Sequence, residues 1–249
     1  MKRALTKIRP VDGFAHTLHL VLTVALPLLI YIFVRIDLAQ LAIAVIFLSK
    51  WRMLAVRPRY WLANLQANSA DILAGVSLVI FMAQTTSQLW QLIWAALYAV
   101  WLLMIKPSTS LFGAASQALI AQVLGLLAVY VAWGGSNILV LIITTWLVCY
   151  VAGRHFFAGF DEPYTKFLTN IWAFFGGSLA WISSHWLLYY GVIAQPALIL
   201  TVLSFGLGSM YYLQRMDKLT PLLKRQFLFI MAAIITVVLV FSDWGDKAV

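Results

Sequence analysis

Two short polar stretches carry side chains able to do chemistry. The first runs from Lys50 to Asp71 and interleaves Arg52, Arg57 and Arg59 with Trp51, Tyr60 and Trp61. Guanidinium forks grip phosphate oxygens two at a time. Trp and Tyr, with an apolar body and a polar edge, seat at headgroup level. Beyond Pro58 the apolar residues Trp61, Leu62, Leu65 and Ile72 form one helical stripe, and Asn64, Asn68 and Asp71 form a polar one. The pattern predicts an amphipathic helix near 60–70 lying in the headgroup layer. Three roles fit it. It could hold anionic lipid headgroups as structure, present a lipid-phosphate substrate, or dock a protein partner on segment 50–71, as coupling helices of permeases do.

The second stretch, Arg154 to Lys166, holds the adjacent acids Asp161 and Glu162, with His155 nearby. Together with the arginines these would make an acid–base set for a lipid-modifying enzyme. They lack the dense acidic cluster that holds Mg²⁺ in lipid-phosphate transferases. An acid just before Pro163 is also ordinary at a helix start.

A third set is neutral and lies within apolar sequence: Gln117 and Gln122, Thr144 and Thr145, then Ser183, Ser184 and His185. These could line a polar path for a solute. They could equally bridge helices, each hydrogen bond contributing ~0.6 kcal/mol. Small residues favour bridging: Gly113, Ala121 and Gly125 share a face with Gln117, while Gly176, Ala180 and Ser184, and then Ser204 and Gly208, follow small-xxx-small spacing. His185 is the one titratable group expected well inside the apolar layer, as a proton relay, a ligand or a hydrogen-bonded neighbour of the serines. His16 and His19 share a face, but zinc needs further ligands and none stands near. Cys149 is the single cysteine and reads as a small buried hydrophobe. No metal or cofactor is expected.

These residues must be positioned by helices in lipid. The 249 residues are 63% hydrophobic and 10% charged, with a mean hydropathy of +0.93, well beyond the soluble range. Nine apolar stretches stand out, near 16–34, 37–50, 71–86, 89–105, 110–133, 137–153, 167–190, 195–213 and 226–242. Backbone groups in lipid must be satisfied within the segment, so the expectation is an all-α polytopic transmembrane bundle of about nine spans in a single domain, 1–249. If every stretch crosses, all of the 17 Lys and Arg except Arg35 and Lys247 fall on one side. That bias places the N-terminus in the cytoplasm and the C-terminus outside. The second stretch is short enough to be re-entrant, but leaving it uncrossed scatters the cations over both sides. The basic, apolar N-terminus reads as a retained first span, not a signal peptide. The polar break Gln84–Gln88 divides the third stretch from the fourth, since a continuous helix over both would be ~51 Å long.

The apolar stretches hold no Asp, Glu, Lys or Arg near their middles. That argues against proton-coupled carriers, intramembrane aspartyl proteases and retinal proteins, whose chemistry needs such groups at depth. P-loop, HExxH, GxSxG and CxxC patterns are also missing. With a net charge of +9 but no gap long enough to fold a basic domain, the expected partners are anionic membrane lipids and no nucleic acid. The expected location is the plasma membrane, or the inner membrane in a bacterium. The expected function is a transport or translocation component, permease-like and without its own ATPase, for an apolar, neutral or lipid-like solute. The alternatives are an assembly subunit with no substrate and a lipid-modifying enzyme at the cytoplasmic face.

Overall fold

The computed structural model describes residues 14–51, 55, 57–186, 189, 190 and 192–243, with the side chains of 14–20 and of Tyr190 outside that description. It is almost wholly helical. Helix α1 spans Phe14–Arg35 and α2 spans Ala39–Leu48. A 3-10 turn, Pro58–Tyr60, leads into α3, Trp61–Ala67, and α4, Ser69–Gln84. Helix α5, Gln88–Val100, runs on into a π turn, Trp101–Ile105. Then come α6, Leu111–Trp133, α7, Ile138–Gly159, and α8, Thr165–Ser184. A minimal hairpin pairs β1, Tyr189–Tyr190, with β2, Ile193–Ala194. Helices α9, Gln195–Arg215, and α10, Pro221–Phe241, complete the chain.

Sequence chemistry sets the ends. Ser110, Asn137 and Thr220 cap α6, α7 and α10, each side-chain oxygen accepting a backbone N–H of the first turn. Three helices stop in the same way. Asp37, Asp161 and Asp217 take positive φ (59°, 49° and 54°). The next N–H then reaches back five residues, to Phe33, Phe157 and Leu213, the bonding of a Schellman end. Aspartate tolerates the left-handed region better than most residues. The polar break 84–88 is a real turn, closed by Gln91, whose Nε2 donates to the carbonyls of Thr85 (2.8 Å) and Met82 (3.2 Å).

One helix stands at each of the nine expected apolar stretches, with shifted ends. Helix α7 continues past 153 to Gly159, so Arg154 and His155 are helical. Helix α8 stops at Ser184, short of 190, because Ser184 and His185 turn their side chains onto the Trp181 carbonyl and compete with the helix for it. Among the described residues, five helices are able by length and composition to cross a membrane: α5 with its π turn, α6, α7, α9 and α10. The α3–α4 pair, bent by 62°, makes a sixth when taken as one broken span. Of the others, α1 is described with its side chains only from Val21, and α4 has 16 residues. Helix α2 rises only ~15 Å, and α8 carries Asn170, two glycines and three serines.

The expected amphipathic helix near 60–70 is α3. Its apolar side is exposed, Leu62 at 72%, and it meets α4 at the bend.

Two cores form. One joins α1, α2, α4 and α5 around Ile30, Ile46, Leu78, Met82 and Tyr98. The other joins α6, α7, α8 and α9 around Leu126, Val148, Cys149, Ala173 and Leu200. Glycine lets the second core close. A Cβ at Gly176 would lie 2.5 Å from Cys149 Sγ, and one at Gly125 would lie 2.8 Å from Val148. Those contacts match the close approach that small-xxx-small spacing gives. Helix α10 packs mainly on α9 and buries little besides Met231 and Val238.

Candidate functional site

Adjoining ends of three helices bring three charges together. Lys50 follows α2, Asp71 sits in the first turn of α4, and Lys106 follows the π turn. Asp71 Oδ2 accepts from Lys50 Nζ and, at 2.8 Å, pairs with Lys106 Nζ. Its Oδ1 accepts from Trp101 Nε1 at 2.8 Å. Asp71 and Lys50 are only 7% and 8% exposed. The π turn helps to place the donors: the Lys106 N–H bonds the Trp101 carbonyl five residues back, a widening often found at functional positions. Trp101 is turned inward and fully buried. An acid at the start of α4 is also favoured by the helix dipole.

Gln117 extends this network. Its Nε2 lies 2.8, 3.0 and 3.1 Å from the carbonyls of Ile105, Ser108 and Lys106, tying down the turn between α5 and α6. Since the amide nitrogen must face those carbonyls, Oε1 faces His155 Nε2, 3.0 Å away. The imidazole therefore donates from Nε2. From Lys50 to His155 this end of the bundle is a closed polar layer linking α2, α4, α5, α6 and α7.

Glu162 belongs to a second group. Its Oε2 accepts from the Tyr211 hydroxyl and lies 3.4 Å from Arg215 Nη2. Arg215 also donates to the Phe160 carbonyl at 3.0 Å. The bonds tie the turn between α7 and α8 to the end of α9, over a cluster of Phe156, Phe157, Phe160 and Tyr211 rings. Asp161 forms the left-handed helix end. His155 thus bonds Gln117, while Glu162 bonds α9. Neither meets the exposed Arg57 and Arg59.

Above this aromatic floor lies a half-open cavity of about 270 Å³ between α6, α7, α8 and α9, two of whose lining residues, Ile171 and Leu207, are exposed. Its walls include Leu119, Phe156, Ile171, Trp172, Leu207 and Tyr211, with Gln122 and Ser204 as polar members. Gly153 and Gly208 remove side-chain bulk from two of the walls. Gln122 is 3% exposed, and its Oε1 accepts from Trp172 Nε1 at 3.1 Å.

Of the neutral polar residues read as a path, Gln122 alone lines this cavity. Thr144 bonds its own helix at Val140 (2.6 Å). Thr145, fully buried, makes a 3.5 Å contact to the Tyr130 hydroxyl. His185 is exposed at the end of α8. In the other set, Arg57 opens the 3-10 turn, and Arg59 lies 4.6 Å over the Tyr60 ring. Trp61 and Asn64 lie on α3, and Asn68 Nδ2 donates to the Asn64 carbonyl at the bend. Arg52 lies outside the described residues. Asp71 leaves this stripe: it is buried, because the bend at Asn68 turns α4 inward beneath α2 and the π turn.

Among the described residues no three His, Cys, Asp or Glu side chains gather as metal ligands do. Sequence reasoning missed Lys50, Lys106, Trp101 and Trp172 as site residues. The only local signal was a charge placed directly at the end of an apolar stretch. Comparison with protein-family models, with curated proteins and with solved structures finds no match for this chain.

Proposed function

We propose that this chain is a multi-pass membrane protein that accommodates an apolar or lipid-like solute in the cavity between α6 and α9, as a transport or translocation component without an ATPase of its own. The observation that carries this reading is the cavity. Helix bundles in lipid otherwise pack tightly through small residues, as α7 and α8 do here. A gap of about 270 Å³ walled by apolar and aromatic side chains, with a few placed polar groups, is how small-molecule sites are built. Its lining excludes a charged solute, since a desolvated ion there would have no partner. The nine-span topology belongs to the same reading. In its favour are the helix at each of the nine stretches and the gathering of Lys50, Lys106 and the start of α4 at one end. Helix α3, with Arg57 and Arg59 exposed, then lies in the anionic cytoplasmic headgroup layer, where it is also placed to dock a protein partner.

The test is purification in native-lipid nanodiscs with mass spectrometry of what remains bound. The expected result is a stoichiometric apolar molecule that disappears when the cavity is filled by Ser204→Trp. Identical bound material in both proteins would sink the reading. The assembly-subunit alternative draws on a different observation, the sparse packing of α10. Its prediction is a stoichiometric membrane protein partner lost on substitution along the exposed face of α10.

A further inference from the structure

The cavity has a floor and two rims. Its lining residues on α6 and α7 are buried or half-buried, and its exposed members are Ile171 on α8 and Leu207 on α9. Helix α7 packs closely on α6 and on α8, whereas α8 and α9 meet only sparsely. The gap therefore opens sideways, between α8 and α9. Helix α10 does not close it. That helix packs on the Gly206 side of α9, where an added Cβ would run into Met231. Gly206 is two residues from Ser204 and from Gly208 in the lining, roughly 200° around the helix. On the α8 rim Phe167, Phe174 and Phe175 stand one turn from Ile171 and are exposed too. A mouth with so large an apolar rim suits hydrocarbon outside it, not water.

One end of the opening carries a charge. Arg215 follows Tyr211 by one turn on the same face of α9, and its Cζ lies 5.9 Å from the centre of the Tyr211 ring, part of the cavity wall. Its bonds to Glu162 and to the Phe160 carbonyl both leave from Nη2. The arginine side chain is 41% exposed and that of Glu162 only 12%, so the guanidinium is the part of the pair that a headgroup meets. Its five-donor fork suits a phosphate.

Resting on the reading of this cavity as a solute site, we infer that its occupant is one acyl chain of an anionic phospholipid, which enters from the bilayer between α8 and α9 and leaves its phosphate outside the apolar lining, on Arg215. The size is suitable. At ~30 Å³ per water-sized group the cavity holds about nine chain carbons. From Ser204 to Arg215 the face of α9 rises ~16 Å, room for a stretch of chain with its headgroup at one end. In the nine-span reading that end is the cytoplasmic one, where anionic lipid collects.

The test uses the full chain in phosphatidylcholine nanodiscs carrying equal small amounts of dioleoylphosphatidylglycerol, dioleoylglycerol and decylbenzene. After transfer to mild detergent, retained molecules are counted by mass spectrometry, with Ser204→Trp protein as the blank. The expected result is one phosphatidylglycerol per chain, retained about tenfold better than the diacylglycerol with the same chains, the size of one charge-assisted hydrogen bond. Arg215→Gln should bring that ratio to near one and leave diacylglycerol retention unchanged. If that variant does not fold, Arg215→Gln with Glu162→Gln, which strands no buried charge, takes its place. Ile171→Trp with Leu207→Trp, at the mouth, should reduce retention of both lipids, and undiminished retention would overturn the sideways entry. Equal retention of the two lipids above the blank, or a preference that survives loss of Arg215, would overturn the phosphate assignment and leave the solute cavity standing. Retention of decylbenzene alone would overturn the lipid occupant and also leave the cavity standing. No probe above the blank would overturn both.

Discussion

Two polar regions of this molecule differ in how far their groups are satisfied: the charged cluster around Asp71 and the neutral cavity wall around Gln122. In the first half, α1 to α5, the polar groups gathered at one end are charged and engaged, although Gln91 Oε1 and the Tyr98 hydroxyl elsewhere in that half lack partners among the described residues. Asp71 meets Lys50, Lys106 and Trp101 at once, and the core above it is closely packed. In the second half, α6 to α9, the Glu162–Arg215 pair closes one end, but around the gap the polar groups are neutral and Gln122 is only half satisfied. A fully satisfied buried network rigidifies its surroundings, and an unpaired buried polar group is costly. Under the proposed function the first region is structural and the second holds the solute.

The strongest way to break that contrast is to remove Asp71. Asp71→Ala leaves Lys50 buried and unpaired, and a broken buried pair costs about 3–5 kcal/mol. Thermal unfolding in detergent should show a larger loss than any glycine substitution produces. Adding Lys50→Met should recover much of it, because an apolar replacement of a buried pair is often neutral. If Asp71→Ala were as stable as the native chain, the first half would not be the rigid one. Next in size is Gly125→Val. Its Cβ would stand 2.8 Å from Val148 and 3.0 Å from Leu73, so overpacking should cost about 1–3 kcal/mol, read as a lowered unfolding temperature. Gly208→Ala is the matching change at the cavity. There a Cβ meets Leu119 and Phe156 at 3.5 Å, ordinary contact. Removing a helical glycine should then stabilise by about 0.5–1 kcal/mol, with solute retention reduced. A destabilised Gly208→Ala would mean that the gap is not there to be filled. Smallest of all is Asp161→Gly. At φ 49° glycine is at least as comfortable, so stability should change by no more than about 1 kcal/mol. Unchanged solute handling would confine Asp161 to a conformational role, whereas its loss would revive the acid–base reading of the loop.

Much of the fold was legible from hydropathy and turn chemistry. The turns at 84–88 and 106–110 and a short helix before α4 follow from local residue types, while the bend between that helix and α4 does not. What joins distant helices was not legible. Asp71 lies 21 residues from Lys50 and 30 from Trp101, and Gln117 lies 38 from His155. Periodicity says which face of a helix is polar, but not which helix stands opposite. Asp71 therefore read as part of one polar stripe with Asn64 and Asn68, when the bend between α3 and α4 separates them and Asp71 is buried. The cavity was illegible for a related reason. A gap among four helices is a property of their spacing, and its apolar lining looks the same in sequence as any lipid-facing wall. Only Gln122 and the Ser204–Gly208 pair hinted at it, and both fit helix bridging equally well.

The brevity of α2 has a consequence for the surrounding bilayer. In the nine-span reading, α2 must carry the chain from Asp37 to Lys50, and α4 must carry it from Asp71 to Gln84. Each path is only ~20 Å of helix, against a hydrocarbon core of ~30 Å. Helices α6 and α7, with 23 and 22 residues, reach ~33 Å. One flank of the protein is then matched to ordinary lipid, and the other demands that lipid thin or the headgroups dip. Such a molecule would tilt toward its short flank, collect short-chain lipids there, and draw neighbours with the same deficit to its side.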